Sequence, residues 1–143
     1  EQIDEGLAVL DRALRLERAG PYQVQAAIAA LHDQAPSVAD TDWPQIAALY
    51  ATLERLEPTP VVTINRAVAV AEADGPLAGL ALLGPLEADG RLERYQSLHA
   101  ARADLLRRAG DEEAAQAAYQ RAIDLSDNQQ ERQALQRRAA SPP

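Results

Sequence analysis

The chain has 143 residues, 47% hydrophobic and 25% charged, which is enough apolar material for one folded domain and excludes a disordered tail. Its formal net charge of −8 disfavours direct binding to nucleic acid or to an anionic membrane surface. It contains no cysteine, so disulfides, thiolate nucleophiles and cysteine-based metal sites are excluded.

The residues favour helix along the whole chain. Ala, Leu, Arg, Glu and Gln are abundant, and apolar residues recur at spacings of three and four. Pro21, Pro60 and Pro76 each have the context of a first helical position, Asp42 is a predicted N-cap, and Gly110 is a predicted helix end. We predict an all-α chain of eight helices, over 2–18, 21–34, 43–57, 60–74, 76–84, 91–109, 111–126 and 129–140.

The sequence also repeats at an offset of about 35 residues, at which Gly75 is superposed on Gly110. This offset is close to the tetratricopeptide unit of about 34 residues, which is a pair of antiparallel helices. We therefore predict helical hairpins stacked as a tetratricopeptide-like right-handed solenoid. The alternative is an alanine-rich helical hairpin that matches the pattern only in part. The residues that fit the unit best are Ala103, Leu106, Ala115, Tyr119 and Ala122.

A chain that begins at Glu1 and contains no methionine is expected to be a piece of a longer protein. Its apolar runs are too short for a transmembrane helix, and its N-terminal residues lack the layout of a signal peptide. We therefore expect a cytoplasmic location.

Four short segments carry a more specific resemblance, in order and at matching spacing. They are Glu5-Gly6-Leu7, Gly20-Pro21-Tyr22-Gln23, Thr41-Asp42-Trp43 and Asn65-Arg66-Ala67-Val68-Ala69. The chain resembles the C-terminal extension of a family of bacterial extracytoplasmic-function (ECF) RNA polymerase sigma factors. In that family a tetratricopeptide-like domain follows the two regions that bind DNA and polymerase.

The resemblance implies that residues 1–143 form a single C-terminal domain and that sigma regions 2 and 4 lie outside this chain. It implies that the longer protein acts in promoter-specific transcription initiation, which this domain regulates through protein–protein interaction. The implied partners are the sigma regions of the same protein, the RNA polymerase core and a small protein of the DGPF type. DNA would be bound only by the missing regions.

The residues give no support for an enzyme, a metal site or a cofactor. A catalytic triad needs a base beside a nucleophile, and the only histidines are His32 and His99. His32 ends a predicted helix, and Asp104 lies on a different helical face from His99. We expect both histidines to be ordinary packed or partly exposed side chains.

Two kinds of binding site remain open. Stacked hairpins bind peptides or other domains on their concave face, which the first helix of each pair lines. Asn65 is the central residue, because its amide either contacts an extended ligand or bonds a neighbouring helix. The candidate interaction groove comprises Val62, Asn65, Ala69, Glu72, Ser97, Ala100, Asp104, Arg107 and Arg108.

The second possibility is a small-molecule sensor with a pocket between helices. Trp43 follows a predicted N-cap and is expected to pack against the preceding hairpin. The candidate pocket comprises Tyr22, Gln23, Trp43, Tyr50 and Asn65.

Replacing the groove residues Asn65 and Asp104 with alanine is expected to leave the stability of the fold unchanged if both lie on an open groove.

Overall fold

A computed structural model of the chain describes residues 15, 20–34 and 40–141. Within these ranges the backbone forms seven α-helices and one 3-10 turn, Gly90–Leu92, and contains no strand. The helices are α1 (Pro21–Gln34), α2 (Trp43–Leu56), α3 (Pro60–Asp74), α4 (Pro76–Ala88), α5 (Gln96–Arg108), α6 (Glu112–Asp124) and α7 (Gln129–Ala140). The all-α prediction is confirmed for this part of the chain, and the predicted helix over 2–18 lies outside it except at Arg15.

Side-chain caps begin most of the helices where the sequence predicts them. Asp42 accepts a hydrogen bond from the backbone N–H of Gln45 at 3.2 Å, and Asp111 accepts one from Ala114 at 3.1 Å. Gly75 has a positive φ of 103° and ends α3 directly before the proline that begins α4. These signals are local, so the sequence predicted α1, α3 and α7 with their observed bounds.

Two predicted boundaries are wrong. The fourth helix of the described chain runs through Pro85 to Ala88, because the proline lies on an exposed face where water can satisfy the carbonyl group that it leaves unpaired. The predicted helix over 91–109 begins only at Gln96. Asp89 caps the 3-10 turn by accepting from the backbone N–H of Arg91 at 3.0 Å, and the chain then turns again before α5.

Each helix packs against the next, and α3 also contacts α5 directly. Helix α3 belongs to two apolar clusters. Its Val62 packs with α1 and α2, whereas its Ala67 packs with α4 and α5. A further cluster around Tyr119 joins α5 to α6. This packing of consecutive helices is consistent with a helical repeat.

The crossing of α3 and α4 depends on Gly79. A Cβ atom at this position would lie 2.7 Å from the carbonyl oxygen of Ala67 and 2.9 Å from both the Cβ of Ala71 and the Cδ1 of Leu105. The two backbones therefore approach more closely than any other residue would allow. The missing side chain also leaves room for Leu105, so α5 packs at the same crossing.

Candidate interaction surface

One face of α3 carries a line of exposed side chains, Val61, Asn65, Val68 and Glu72, which we call the α3 stripe. Its members recur at spacings of four, three and four, so they share one side of the helix. Val61 is 52% exposed and Val68 is 38% exposed, so both valines keep apolar surface in contact with water.

A first cavity of about 340 Å³ lies on one side of the α3 stripe, between α1, α2 and α3. Its walls are mostly apolar, and the described residues that line it include no arginine and no carboxylate. Four polar side chains, Gln25, His32, Tyr50 and Asn65, reach it from three helices. The remaining lining residues are Ile28, Ala29, Leu53, Val61 and Val62.

Two polar side chains of the first cavity, Gln25 and His32, also contact residues that do not line it. Gln25 donates a hydrogen bond to Glu57 at 3.3 Å. The ring of His32 meets Trp43 edge to face, with 5.4 Å between the ring centroids. Burial raises the pKa of the Tyr50 phenol above its ordinary value. The cavity therefore offers hydrogen-bonding side chains among mostly apolar walls.

A second cavity of about 320 Å³ lies on the other side of the α3 stripe, between Val68, α5 and α7. It continues into a third depression of about 450 Å³ at the start of α7, because Gln96, Ser97 and Glu131 line both. The third depression also contains Arg94, Tyr95, Asp124, Leu125, Ser126 and Asp127. The two together form one polar groove.

A polar network fixes the floor of the second cavity. Asp104 accepts hydrogen bonds from the buried Tyr119 hydroxyl and from Arg138. Burial, reinforced by Asp104, raises the pKa of Tyr119 to about 12. Arg107 stacks 4.9 Å over the Tyr119 ring and donates to the carbonyl oxygen of Ala139 at 2.7 Å. The network therefore ties α5 and α6 to α7.

The predicted groove residues separate into two groups. Asn65 and Glu72 lie on the α3 stripe, and Ser97 and Ala100 line the second cavity. Ala69 is 1% exposed and belongs to the core. Asp104 lines the second cavity but is already bonded to other helices.

The remaining predicted groove residues have structural contacts. Val62 borders the first cavity but is mostly buried at 6% exposure. Arg107 pairs with Glu112 at 2.9 Å, in addition to its contacts with α7. Arg108 donates to Glu72 at 3.1 Å and to the carbonyl oxygen of Ala71 at 3.3 Å, so it links α5 to α3.

The predicted pocket is only partly assembled. Tyr50 and Asn65 line the first cavity, whereas Tyr22 is 79% exposed and lies outside it, as does the exposed Gln23. Trp43 is half-buried and packs against the apolar cluster of α1, α2 and Val62. It does not line the first cavity, but its ring contacts the ring of His32.

Sequence reasoning missed Gln25, His32, Val61 and Val68 as surface residues of this site. Their spacing in the sequence indicates which of them share a helical face. Gln25 and His32 are two turns apart on α1, as Val61 and Val68 are on α3, and such pairs share a helical face. Without the packing of the helices, the sequence does not say that these two faces meet.

His99 lies away from the first cavity, with its Nε2 atom 2.7 Å from the carbonyl oxygen of Glu93. In the part of the chain that the structure describes, no group of histidine and carboxylate side chains has an arrangement that could hold a metal ion. No helix in these ranges is long and apolar enough to span a membrane.

No family model and no solved structure matches the chain. An uncharacterized protein of Rhizobium meliloti (strain 1021) is 50% identical to it over 129 residues. The match covers 90% of this chain and 30% of the relative. The chain thus spans less than a third of the length of this curated relative.

Proposed function

We propose that the chain is a protein-interaction domain that regulates transcription initiation as part of an ECF sigma factor. The observation that carries the proposal is the α3 stripe, in which Val61 and Val68 stay exposed beside a cavity on each flank of the helix. Exposed apolar side chains next to cavities are typical of surfaces that a partner covers. The proposal assigns no catalytic step to the chain.

The link to sigma factors is supported by the sequence resemblance. A relative that extends well beyond the matched region also has room for further domains. The proposed partners are the sigma regions of the same protein, the RNA polymerase core and a small protein of the DGPF type. In this arrangement the domain holds or releases the DNA-binding regions, and the concave face is the contact surface.

A transcription assay tests the proposal. Transcript from a cognate promoter would be measured with RNA polymerase and three forms of the longer sigma factor: the full protein, a form that lacks this domain, and a form with Val61→Ser and Val68→Ser. We expect deletion and the double substitution to change transcript level in the same direction. Leu77→Ser is the matched control, because Leu77 is 73% exposed and lines neither cavity. Unchanged transcription with the deletion form would contradict the proposal.

The isolated chain is expected not to bind promoter DNA, since its net charge of −8 opposes contact with phosphate groups. Fluorescence anisotropy with a labelled duplex at moderate salt measures this directly. Salt-sensitive binding at micromolar concentration would place DNA recognition in this domain and contradict the assignment.

A second candidate function is small-molecule sensing at the first cavity. Its volume of about 340 Å³ is at the lower end of the range for ligand pockets, and its four polar side chains converge on apolar walls. A screen of uncharged small molecules by thermal shift tests this function, because a ligand that binds only the folded state raises the melting temperature. A shift that Asn65→Ala abolishes and Leu77→Ser leaves intact would favour the sensor.

A further inference from the structure

The α3 stripe joins two cavities through exposed apolar side chains. Val61 borders the first cavity and Val68 the second. The two residues are two helical turns apart, which is about 10.5 Å along the helix axis. A peptide in the polyproline II conformation rises about 3.1 Å per residue with three residues per turn, so it spans that distance with about three residues and presents side chains three positions apart on one face. The spacing suits a bound segment with two apolar side chains three positions apart.

Asn65 lies between the two valines and is free to bind such a segment. Its side chain forms no hydrogen bond with the residues that the structure describes. Its amide group supplies two donors and an acceptor, which match the carbonyl and N–H groups of a peptide backbone. The exposure of Asn65 also rules out the alternative in which its side chain is buried against a neighbouring helix.

The charge of the surface beside the α3 stripe differs between the first cavity and the third depression. Among the described residues, no arginine or carboxylate lines the first cavity, whereas Asp124, Asp127 and Glu131 line the third depression together with Arg94. Asp124 accepts a hydrogen bond from Gln120, a neutral side chain, at 2.9 Å. None of the three carboxylates forms an ion pair within residues 20–34 and 40–141. This end of the groove therefore keeps a net negative charge.

We propose that the α3 stripe, with the cavities on its two flanks and the third depression, binds a basic and apolar peptide segment of a partner protein. Two apolar side chains of the segment contact the surface at Val61 and Val68, its backbone bonds Asn65, and an arginine or lysine lies among the carboxylates of the third depression. Charge complementarity selects this partner class, since an acidic segment would be repelled at the same place. The inference rests on the proposed interaction function and specifies the partner's chemistry.

Selection from a random peptide library tests the partner class. Twelve-residue peptides displayed on phage would be selected against the immobilised 143-residue chain. We expect the enriched sequences to share two apolar residues three positions apart and an arginine or lysine on one side of them. Enrichment of acidic sequences, or no enrichment over an unrelated helical protein, would overturn the inference.

Matched variants locate the bound peptide. One enriched peptide, labelled with a fluorophore, would be titrated by anisotropy with the parent chain and with each variant. Val61→Ser with Val68→Ser is expected to weaken binding about tenfold or more, and Leu77→Ser to leave it unchanged. Asp124→Asn with Asp127→Asn is expected to weaken binding and to reduce its dependence on salt, whereas Glu113→Gln, which removes an exposed carboxylate of α6 outside the groove, is expected to do neither.

Circular dichroism melting of every variant separates loss of binding from loss of folding. Binding that survives both double substitutions in folded chains would overturn the assignment to this face. The experiment contains neither polymerase nor promoter, so its failure would remove the peptide class without deciding the transcription assay. A failed transcription assay would likewise leave the peptide result standing.

Discussion

The two flanks of α3 use polar residues in opposite ways. On the first flank, toward α1 and α2, Asn65 is exposed and without a hydrogen-bonding partner among the described residues. On the second flank, toward α5 and α7, Asp104 bonds both Tyr119 and Arg138. A polar side chain thus stays without a side-chain hydrogen bond on the first flank, whereas on the second flank a carboxylate attaches helices to one another.

This difference shows how a surface residue should be judged for function. Asp104 lines a cavity, yet its carboxylate is committed to two other helices, so replacing it disturbs the scaffold. Asn65 lines a cavity with no such commitment, so replacing it removes only contacts that a partner would make. The expectation that both can be changed without loss of stability is therefore revised for Asp104.

The largest expected effect comes from the helix crossing that holds the second flank together. Gly79→Ala should lower the free energy of unfolding by about 3 kcal/mol, because the new methyl group overlaps the backbone of α3. Urea denaturation measures the change.

Gly84→Ala on the same helix is the control. No atom lies within 4 Å of a Cβ at this position. The helix propensity gained by alanine is opposed by the restriction that Pro85 places on the preceding residue, so we expect little change. Equal effects at the two glycines would contradict the close crossing of α3 and α4.

On the first flank, Trp43→Ala should lower the free energy of unfolding by about 2 kcal/mol. This is less than the roughly 3–5 kcal/mol of a fully buried tryptophan, because the Trp43 side chain is only half-buried. His32→Ala should have a smaller effect, since it removes one edge-to-face ring contact. Tryptophan emission at the wavelength of free indole in water would show that the ring does not pack against the first cluster.

The sharpest contrast between the flanks is between Asp104→Ala and Asn65→Ala. The first change should lower the free energy of unfolding by about 1–2 kcal/mol, because it leaves Tyr119 and Arg138 without their acceptor. The second should change it by less than about 0.5 kcal/mol, as is usual for an exposed position. A thermal melt of both variants measures the difference, and equal values would remove the distinction between the flanks.

A further effect, seen only at alkaline pH, is a dependence of stability on pH. The pKa of Tyr119 is about 12 in the folded chain, above the ordinary value of 10.0, so the folded state holds the phenol proton more tightly than the unfolded state. This stabilisation is complete below about pH 10 and is lost as the pH rises through about 12. Tyr119→Phe should make the free energy of unfolding fall less steeply between about pH 10 and pH 12, which denaturation experiments across this pH range measure.

Tyr50→Phe is the comparison from the first flank, because burial also raises the pKa of Tyr50. Among the described residues Tyr50 has no carboxylate partner, so its contribution to the loss of stability at alkaline pH should be smaller. A larger loss from Tyr50 would reverse the order of the two flanks.

Local chemistry made most of the helices predictable. Asp42 and Asp111 place their side-chain oxygens on backbone N–H groups a few residues away, and Gly75 turns the chain at the end of α3. Each depends on residues within one turn. The 3-10 turn before α5 was missed because Asp89 supplies a cap within a stretch whose composition favours helix throughout.

The sites were less predictable because they depend on distant residues. Periodicity alone placed Ala69 and Asn65 on related positions of α3, but the contact with α2 buries Ala69 while Asn65 stays exposed. The sequence pattern assigned Arg107 to the groove. In the structure its guanidinium group pairs with Glu112 and donates a hydrogen bond to the carbonyl oxygen of Ala139 near the end of α7. Only packing distinguishes these outcomes.

The sequence by itself determined the helical class, the caps and most of the helix bounds, since these follow from interactions between near neighbours. The tertiary structure decided which polar side chains are already bonded and which two helical faces border one cavity. The physical reason is that burial and pairing depend on residues far apart in the chain. Arg138 reaches Asp104 across 34 positions of sequence, and no local pattern encodes that contact.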